Sequence, residues 1–293
     1  MTVKRHRSIF NGVDPIIAEW LGISGNPRYG NEPLHSKQAL IDLSENTAHA
    51  VRPEQASASN LIAGILSRIE ENHKVMGNPV PSASNWQWVK SPEIDFEHTS
   101  EEKVLEKTLV QVMGDDLVNQ ISVCNSLAER KEFSRRIDLA HRLADHEFEI
   151  IELKYGTATQ DHGSDTPLFA AMEILQYGLV YLYSRVRRLY GRQSGKGNLL
   201  AAKAIHLVVL APEDYYTYKM PRGLKKNFEL GWLEACLNDG LCQYLQSCRG
   251  SLPTIDFQFQ SLTPEFEAVY RPLQKAMDGF RRTGISLRHA LYS

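Results

Sequence analysis

Cysteine is scarce in this 293-residue chain. The four present, Cys124, Cys236, Cys242 and Cys248, form no C-x-x-C pair and have no histidine at zinc-ligand spacing beside them. That argues against a disulfide framework or a cysteine-based zinc site and for reduced, partly buried thiols. An excess of either charge is also missing: Lys and Arg total 33, Asp and Glu 35, and the net charge is −2. No global positive field therefore draws the protein to nucleic acid or anionic lipid, and any polyanion has to be held by local patches. There is no 18-residue apolar stretch, and the basic start "MTVKRHRSIFNGVD" lacks the apolar core of a secretory signal. A cytoplasmic protein without membrane association is expected. Internal repeats, low-complexity tracts, a G-x-S-x-G motif and a paired Cys/His arrangement are all lacking. "GRQSGKG", 191–197, mimics a phosphate loop, but only three residues separate Gly191 from Gly195, and Gly197 stands where Ser or Thr would bind Mg²⁺.

What is present is a globular composition, 42% hydrophobic, able to bury a sizeable core. Residues 1–98 contain the turn-rich stretches "GISGNPRYGNEPLHS" and "MGNPVPSASNW", with one helix between them that sets Leu61, Ile65, Leu66 and Ile69 on a face. They read as an irregular, helical N-terminal extension. From residue 99 the pattern is regular. "TSEEKVLEKTLVQVMG" predicts a helix with a capping box from Thr99 to Glu102 and a stop at Gly114. "LVNQISVC", "RRIDLAH" and "FEIIELKYG" predict strands, the last two joined as a hairpin through "RLADHE". "TPLFAAMEILQYGLVYLYSRVRRLYG" opens with Thr166 as N-cap and Pro167 at the first helical position, and predicts a long helix. "AIHLVVLAP" is a further buried strand, "NFELGWLEACLNDGLCQYL" a helix and "IDFQFQSLT" a late edge strand.

One feature of "FEIIELKYG" demands a reason. Its apolar run suits a strand covered on both faces, yet Glu152 and Lys154 interrupt it two residues apart and so project from one face. Burying charge costs several kcal/mol per ion unless it is paired or metal-bound. Asp138 in "RIDLAH" falls on the hairpin partner, where cross-strand side chains about 5 Å apart can share one cation. Two hard carboxylate oxygens suit Mg²⁺ or Mn²⁺. The alternative is structural: Glu152 and Lys154 form an ion pair, and Asp138 pairs with Arg136 or Arg142.

"RIDLAH", a hairpin, "IIELKYG", a long helix and another hydrophobic strand together resemble the PD-(D/E)xK nuclease superfamily, the restriction-endonuclease-like fold. In that pattern Asp138 matches the first acid, Glu152 the second and Lys154 the lysine, while Ile137 stands in place of the proline. The resemblance covers roughly residues 99–210. It implies a metal held by Asp138 and Glu152, with the Leu153 carbonyl as a third ligand, and Lys154 positioning the attacking water or stabilising developing charge.

Other residues keep two readings. Glu102 is either the extra acid that this family often places near the metal or a cap residue. Glu173 and Gln176 share a helix face with Tyr177 and Val180. They either point into the cleft, Gln176 supporting the site as a glutamine does in many members, or make core-edge hydrogen bonds. Asp161, His162 and Asp165 in "GTATQDHGSDTP" are ligand or acid candidates, or belong to a solvated turn. Arg185, Arg187, Arg188, Arg192, Lys196, Lys219, Arg222, Lys225 and Lys226 could grip phosphate locally or be solvated charge.

The expectation is an α/β protein with a mixed central sheet flanked by helices and an αβββαβ core. A nuclease-like domain would span 99–293 and the helical extension 1–98. Function divides between a Mg²⁺- or Mn²⁺-dependent nuclease, with Asp138, Glu152, Lys154 and Gln176 in the site and Glu102 as a further metal candidate, and a nuclease-like binding or scaffold module without turnover. The partner is expected to be nucleic acid, DNA ahead of RNA; a protein partner at the N-terminal extension and a homodimer are left open.

Overall fold

A computed structural model describes residues 8–23, 32–47, 50–93, 100–128, 135–155, 166–187, 199–220, 223–248 and 252–263. Asp161, His162, Asp165, Arg188, Arg192, Lys196, Arg222 and the whole of "GRQSGKG" lie outside the described residues.

Strands β1 (Leu117–Ser122), β2 (Arg136–Ala144), β3 (Glu147–Leu153), β4 (Ala204–Ala211) and β7 (Thr254–Ser261) form one sheet in the order β1-β2-β3-β4-β7. The first three are antiparallel neighbours and the last two pair in parallel. The chain is thus an α/β protein with a mixed central sheet flanked by helices. The β2–β3 hairpin is tighter than "RLADHE" suggested. β2 runs on to Ala144, and only Asp145 and His146 make the turn, with a register shift between Arg142 and Ala144. His146 adopts φ 69°, in the left-handed region, next to that register shift.

Parallel strands need a crossover, and α5 (Pro167–Arg187) supplies it between β3 and β4. Thr166 caps it as expected, its hydroxyl accepting the Phe169 N–H at 3.1 Å. Nearly every α5 side chain from Pro167 to Ser184 is buried, because the helix is covered by the sheet on one side and by α3 (Ala58–Val75) on the other. Helix α6 (Gly231–Ser247) packs on α3 and on β7. At Gly240 a Cβ would sit 2.8 Å from the Ala58 backbone, so this close approach of α6 to α3 admits only glycine without a shift. Lys219 belongs to β5 (Thr217–Lys219), which pairs with β6 (Lys225–Asn227) in a separate ribbon.

The N-terminal residues are more helical than the sequence suggested. Besides α3 they form α1 (Val13–Trp20) and α2 (Lys37–Glu45). Ile9, Val13, Ile17, Leu40, Ile62 and Trp86 join one continuous core with Ile150, Leu175, Val180 and Leu207. The opposite face of the sheet is covered by α4 (Glu101–Met113), whose Val104, Leu105 and Leu109 pack with Leu139, Ile151, Leu153 and Val208. Two face-covering layers explain why β3 and β4 read as almost unbroken apolar runs. Among the described residues no helix is long and apolar enough to cross a membrane. All four cysteines are free, Cys124 and Cys236 buried, Cys242 exposed and Cys248 intermediate.

The capping box needs correction. Ser100, not Thr99, is the N-cap of α4: it is extended (φ −68°, ψ 159°) and its hydroxyl accepts the Lys103 N–H at 3.3 Å. Thr99 itself lies outside the described residues. The third helical position therefore belongs to Lys103 rather than Glu102, and no carboxylate reaches back from it to the cap.

Candidate active site

Strands β2 and β3 deliver the first two acids. Leu139 pairs with Ile151, and the same register continued by one residue sets Asp138 opposite Glu152. The ladder opens here. Asp138 Oδ2 accepts the Leu153 N–H at 3.1 Å, a side chain taking the place of a strand carbonyl. Lys154 follows the last residue of β3, and its N–H donates to the Leu210 carbonyl on β4 at 2.9 Å. Asp138, Glu152 and Lys154 are 9%, 4% and 7% exposed, so the sequence charges do come together in the interior.

Each carboxylate is held by a lysine. Lys154 Nζ donates to Glu152 Oε1 at 2.7 Å and lies 3.6 Å from Glu173 Oε2 on α5. Lys103 Nζ on α4 stands 3.2 Å from Asp138 Oδ1 and 2.5 Å from Glu106 Oε2. Glu106 is fully buried and also accepts from Asn119 Nδ2 (2.7 Å) and Gln120 Nε2 (2.8 Å) on β1. Asp138 thus pairs with Lys103 rather than with Arg136 or Arg142. Arg142 instead holds Asp116.

Burial drives the Glu152 carboxyl well above the usual carboxylate range; the Lys154 ammonium pulls it down, and the negative charges of Asp138 and Glu173 push it further up. Glu106 is also raised, by burial first, against the opposing pull of Lys103. Burial would lower the Lys103 ammonium, but Asp138 and Glu106 outweigh that and hold it above its ordinary value. Burial again, with Glu173 beside it, pushes the Tyr177 hydroxyl well up. That hydroxyl donates to Glu173 Oε1 at 2.9 Å.

Gln176 points elsewhere. Its Oε1 accepts from Arg135 Nη1 and its Nε2 donates to Asp14 Oδ1 on α1, both at 3.2 Å. Glu173, one turn earlier, is the α5 side chain beside Lys154. Glu102 lies half-buried in the first turn of α4, and the acid that α4 turns towards the strands is Glu106. Glu106 and Lys103 were missed in the sequence. The i,i+4 spacing of Glu102 and Glu106 was a usable signal, since one helix face carries both. Asp14 and Arg135 had no local signal at all.

One oxygen is left over. Among the described residues Glu152 Oε2 is buried with no hydrogen-bond partner. An orphaned carboxylate oxygen in an apolar setting is costly unless something positive meets it. Among the described residues no three His, Cys, Asp or Glu side chains are grouped to hold a metal. Mg²⁺ does not require that: it keeps several waters and takes one or two carboxylates plus substrate oxygens. The free Glu152 oxygen and the remaining lone pairs of Asp138 opposite it are the hard oxygen donors a divalent cation takes.

No protein-family model matches the chain, and neither a curated protein nor a solved structure matches it.

Proposed function

We propose that this protein hydrolyses phosphodiester bonds, those of DNA ahead of RNA, with Mg²⁺ or Mn²⁺. The observation that carries the reading is the partnerless Glu152 Oε2, buried across the hairpin from Asp138 with Lys154 beside it. Asp138 and Glu152 would hold the cation, with the Leu153 carbonyl as the third ligand suggested by the PD-(D/E)xK resemblance. A bound cation supplies Lewis-acid polarisation of a phosphoryl oxygen and neutralises charge there. The protein's own groups do the rest. Lys154, held at 2.7 Å by Glu152 and steered by Glu173, keeps a positive charge where negative charge develops on the phosphate or the attacking water. Glu106 anchors Lys103, which orients Asp138, and the Leu153 N–H fixes the other Asp138 oxygen. Phe169, its ring 5.9 Å from Lys154 Nζ, walls the ammonium with an apolar face.

The second reading, a binding or scaffold module without turnover, is favoured by the same lysines: Lys103 and Lys154 already neutralise the acids in pairs. Incubation with plasmid and linear DNA in Mg²⁺ or Mn²⁺ decides between them, with EDTA and Lys154→Ala as controls. Cleavage that disappears in both controls supports the nuclease. Absence of cleavage on any DNA or RNA favours the module.

A further inference from the structure

Among the described basic residues singled out in the sequence, three are paired, while Lys219 and Arg185 make no ion pair with a described residue. Arg187 pairs with Glu70, Lys225 with Asp214 and Lys226 with Glu45. Arg136 is exposed, also makes no ion pair with a described residue, and opens β2 two residues before Asp138, on the same side of the strand and about 7 Å along it.

Arg136 also lines a cavity of about 290 Å³ at the outer edge of β1, between that strand and the segment 84–91. The segment is tied to the strand by Trp86 N–H on the Ser122 carbonyl at 2.8 Å and Ser91 N–H on Asn119 Oδ1 at 2.8 Å. The lining is mixed: Val89 and Ile121 contribute apolar surface, and the hydroxyls of Ser84, Ser91 and Ser122, the amide of Gln87 and the guanidinium contribute polar groups. Ser122 is the cross-strand partner of Arg136. Gln120 closes the inner wall, and its amide donates to Glu106, which holds Lys103 and through it Asp138. The cavity is therefore linked to the acid cluster by hydrogen bonds through Gln120, offers a guanidinium with no ion pair among the described residues and hydroxyl donors, and contains no acidic side chain in its lining.

We infer that Arg136 and this cavity bind the phosphate that neighbours the scissile one in the substrate strand. The inference rests on the phosphodiesterase reading and adds where the substrate runs: outward from Asp138 along the start of β2 and across the edge of β1. A guanidinium suits the task because its planar fork meets two phosphate oxygens at once. The backbone offset of Arg136 from Asp138, about 7 Å, is of the order of the spacing between neighbouring phosphates in an extended strand.

Binding of fluorescein-labelled single-stranded DNA to the full chain, measured by anisotropy across a salt series with Ca²⁺ in place of Mg²⁺, tests this independently of turnover. Arg136→Ala should weaken binding about tenfold and reduce the slope of log affinity against log salt by about 1. Arg136→Lys should fall between, and Arg136→Glu should lose more than Arg136→Ala. Lys225→Ala, which removes an equal charge already paired with Asp214, should match the wild type. If the wild type binds and cleaves DNA but Arg136→Ala keeps its affinity and slope, the subsite is wrong and the phosphodiesterase reading stands. If the wild type neither binds nor cleaves DNA, both fall.

Discussion

The two ends of β3 carry the same chemistry in opposite settings. At its end, Glu152 and Lys154 are buried, and burial raises the Glu152 carboxyl far above its ordinary value. Near its start Glu149 sits in a row that crosses four strands, His141 on β2, Glu149, His206 on β4 and Asp256 on β7, each the register partner of the next. His141 Nδ1 lies 2.9 Å from Glu149 and His206 Nδ1 lies 2.8 Å from Asp256, with Glu147 3.2 Å from the other His206 nitrogen. Glu149 is also partly buried, and burial alone would raise it. Hydrogen bonds from His141 and Gln260 and the positive charge of the two histidines win instead, and its carboxyl is held below the ordinary range. Partnership decides the sign: both Glu149 oxygens are bonded, whereas one Glu152 oxygen has nothing. A fully satisfied row stabilises a sheet. An under-satisfied carboxylate beside another acid is the kind of group that binds a cation.

Substitutions at the two ends should therefore fail in different ways. The largest effect is expected from Lys154→Ala or Glu152→Ala, with loss of metal-dependent DNA cleavage by at least about 10²- to 10³-fold in a plasmid-nicking assay. Equal cleavage by wild type and variants would remove the functional half of the contrast. Next comes Glu106→Ala, which leaves Asn119, Gln120 and Lys103 without their shared acceptor in a buried setting. Urea denaturation should show a loss of about 2–4 kcal/mol, and a loss within 0.5 kcal/mol would mean that the cluster is less dry than its burial implies.

Glu149→Ala should cost about 1 kcal/mol at neutral pH. Because the folded carboxyl is held down, its contribution is complete above the unfolded-state pKa of about 4.3 and disappears as pH falls through the lower folded value, so wild type and variant should converge in denaturation midpoints taken into acid. The smallest effect is expected from His206→Gln, about 0.5 kcal/mol. Burial lowers its imidazolium but Asp256 and Glu147 outweigh it, leaving the pKa raised. That contribution is present in full below about pH 6.5 and is lost as pH rises through the folded value, the reverse of Glu149. Thermal melts from pH 5 to 9 separate the two signs.

Local patterns carried much of the fold. The Thr166–Pro167 start of α5, the apolar runs of β3 and β4 and the Gly114 stop of α4 are short-range signals and appear where they were expected. Helices α1 and α2 escaped because each is short and draws its stability from the shared core rather than from its own pattern. Ser100 rather than Thr99 became the cap because neighbouring hydroxyls are equivalent in sequence and only the backbone angles choose between them. Gln176 was legible as a polar position on an apolar helix, but Asp14, 162 residues away, decides where its amide points.

The amino-acid order alone determined that an acid, an acid and a lysine would share a hairpin end, since strand alternation and a short turn dictate which side chains meet. Only the tertiary structure decided which other charges join them. Lys103 and Glu106 come from the helix covering one sheet face and Glu173 from the crossover helix, and no spacing along the chain encodes the packing that leaves one Glu152 oxygen without a partner. Contacts between layers are set by where helices dock, and docking depends on the whole core at once.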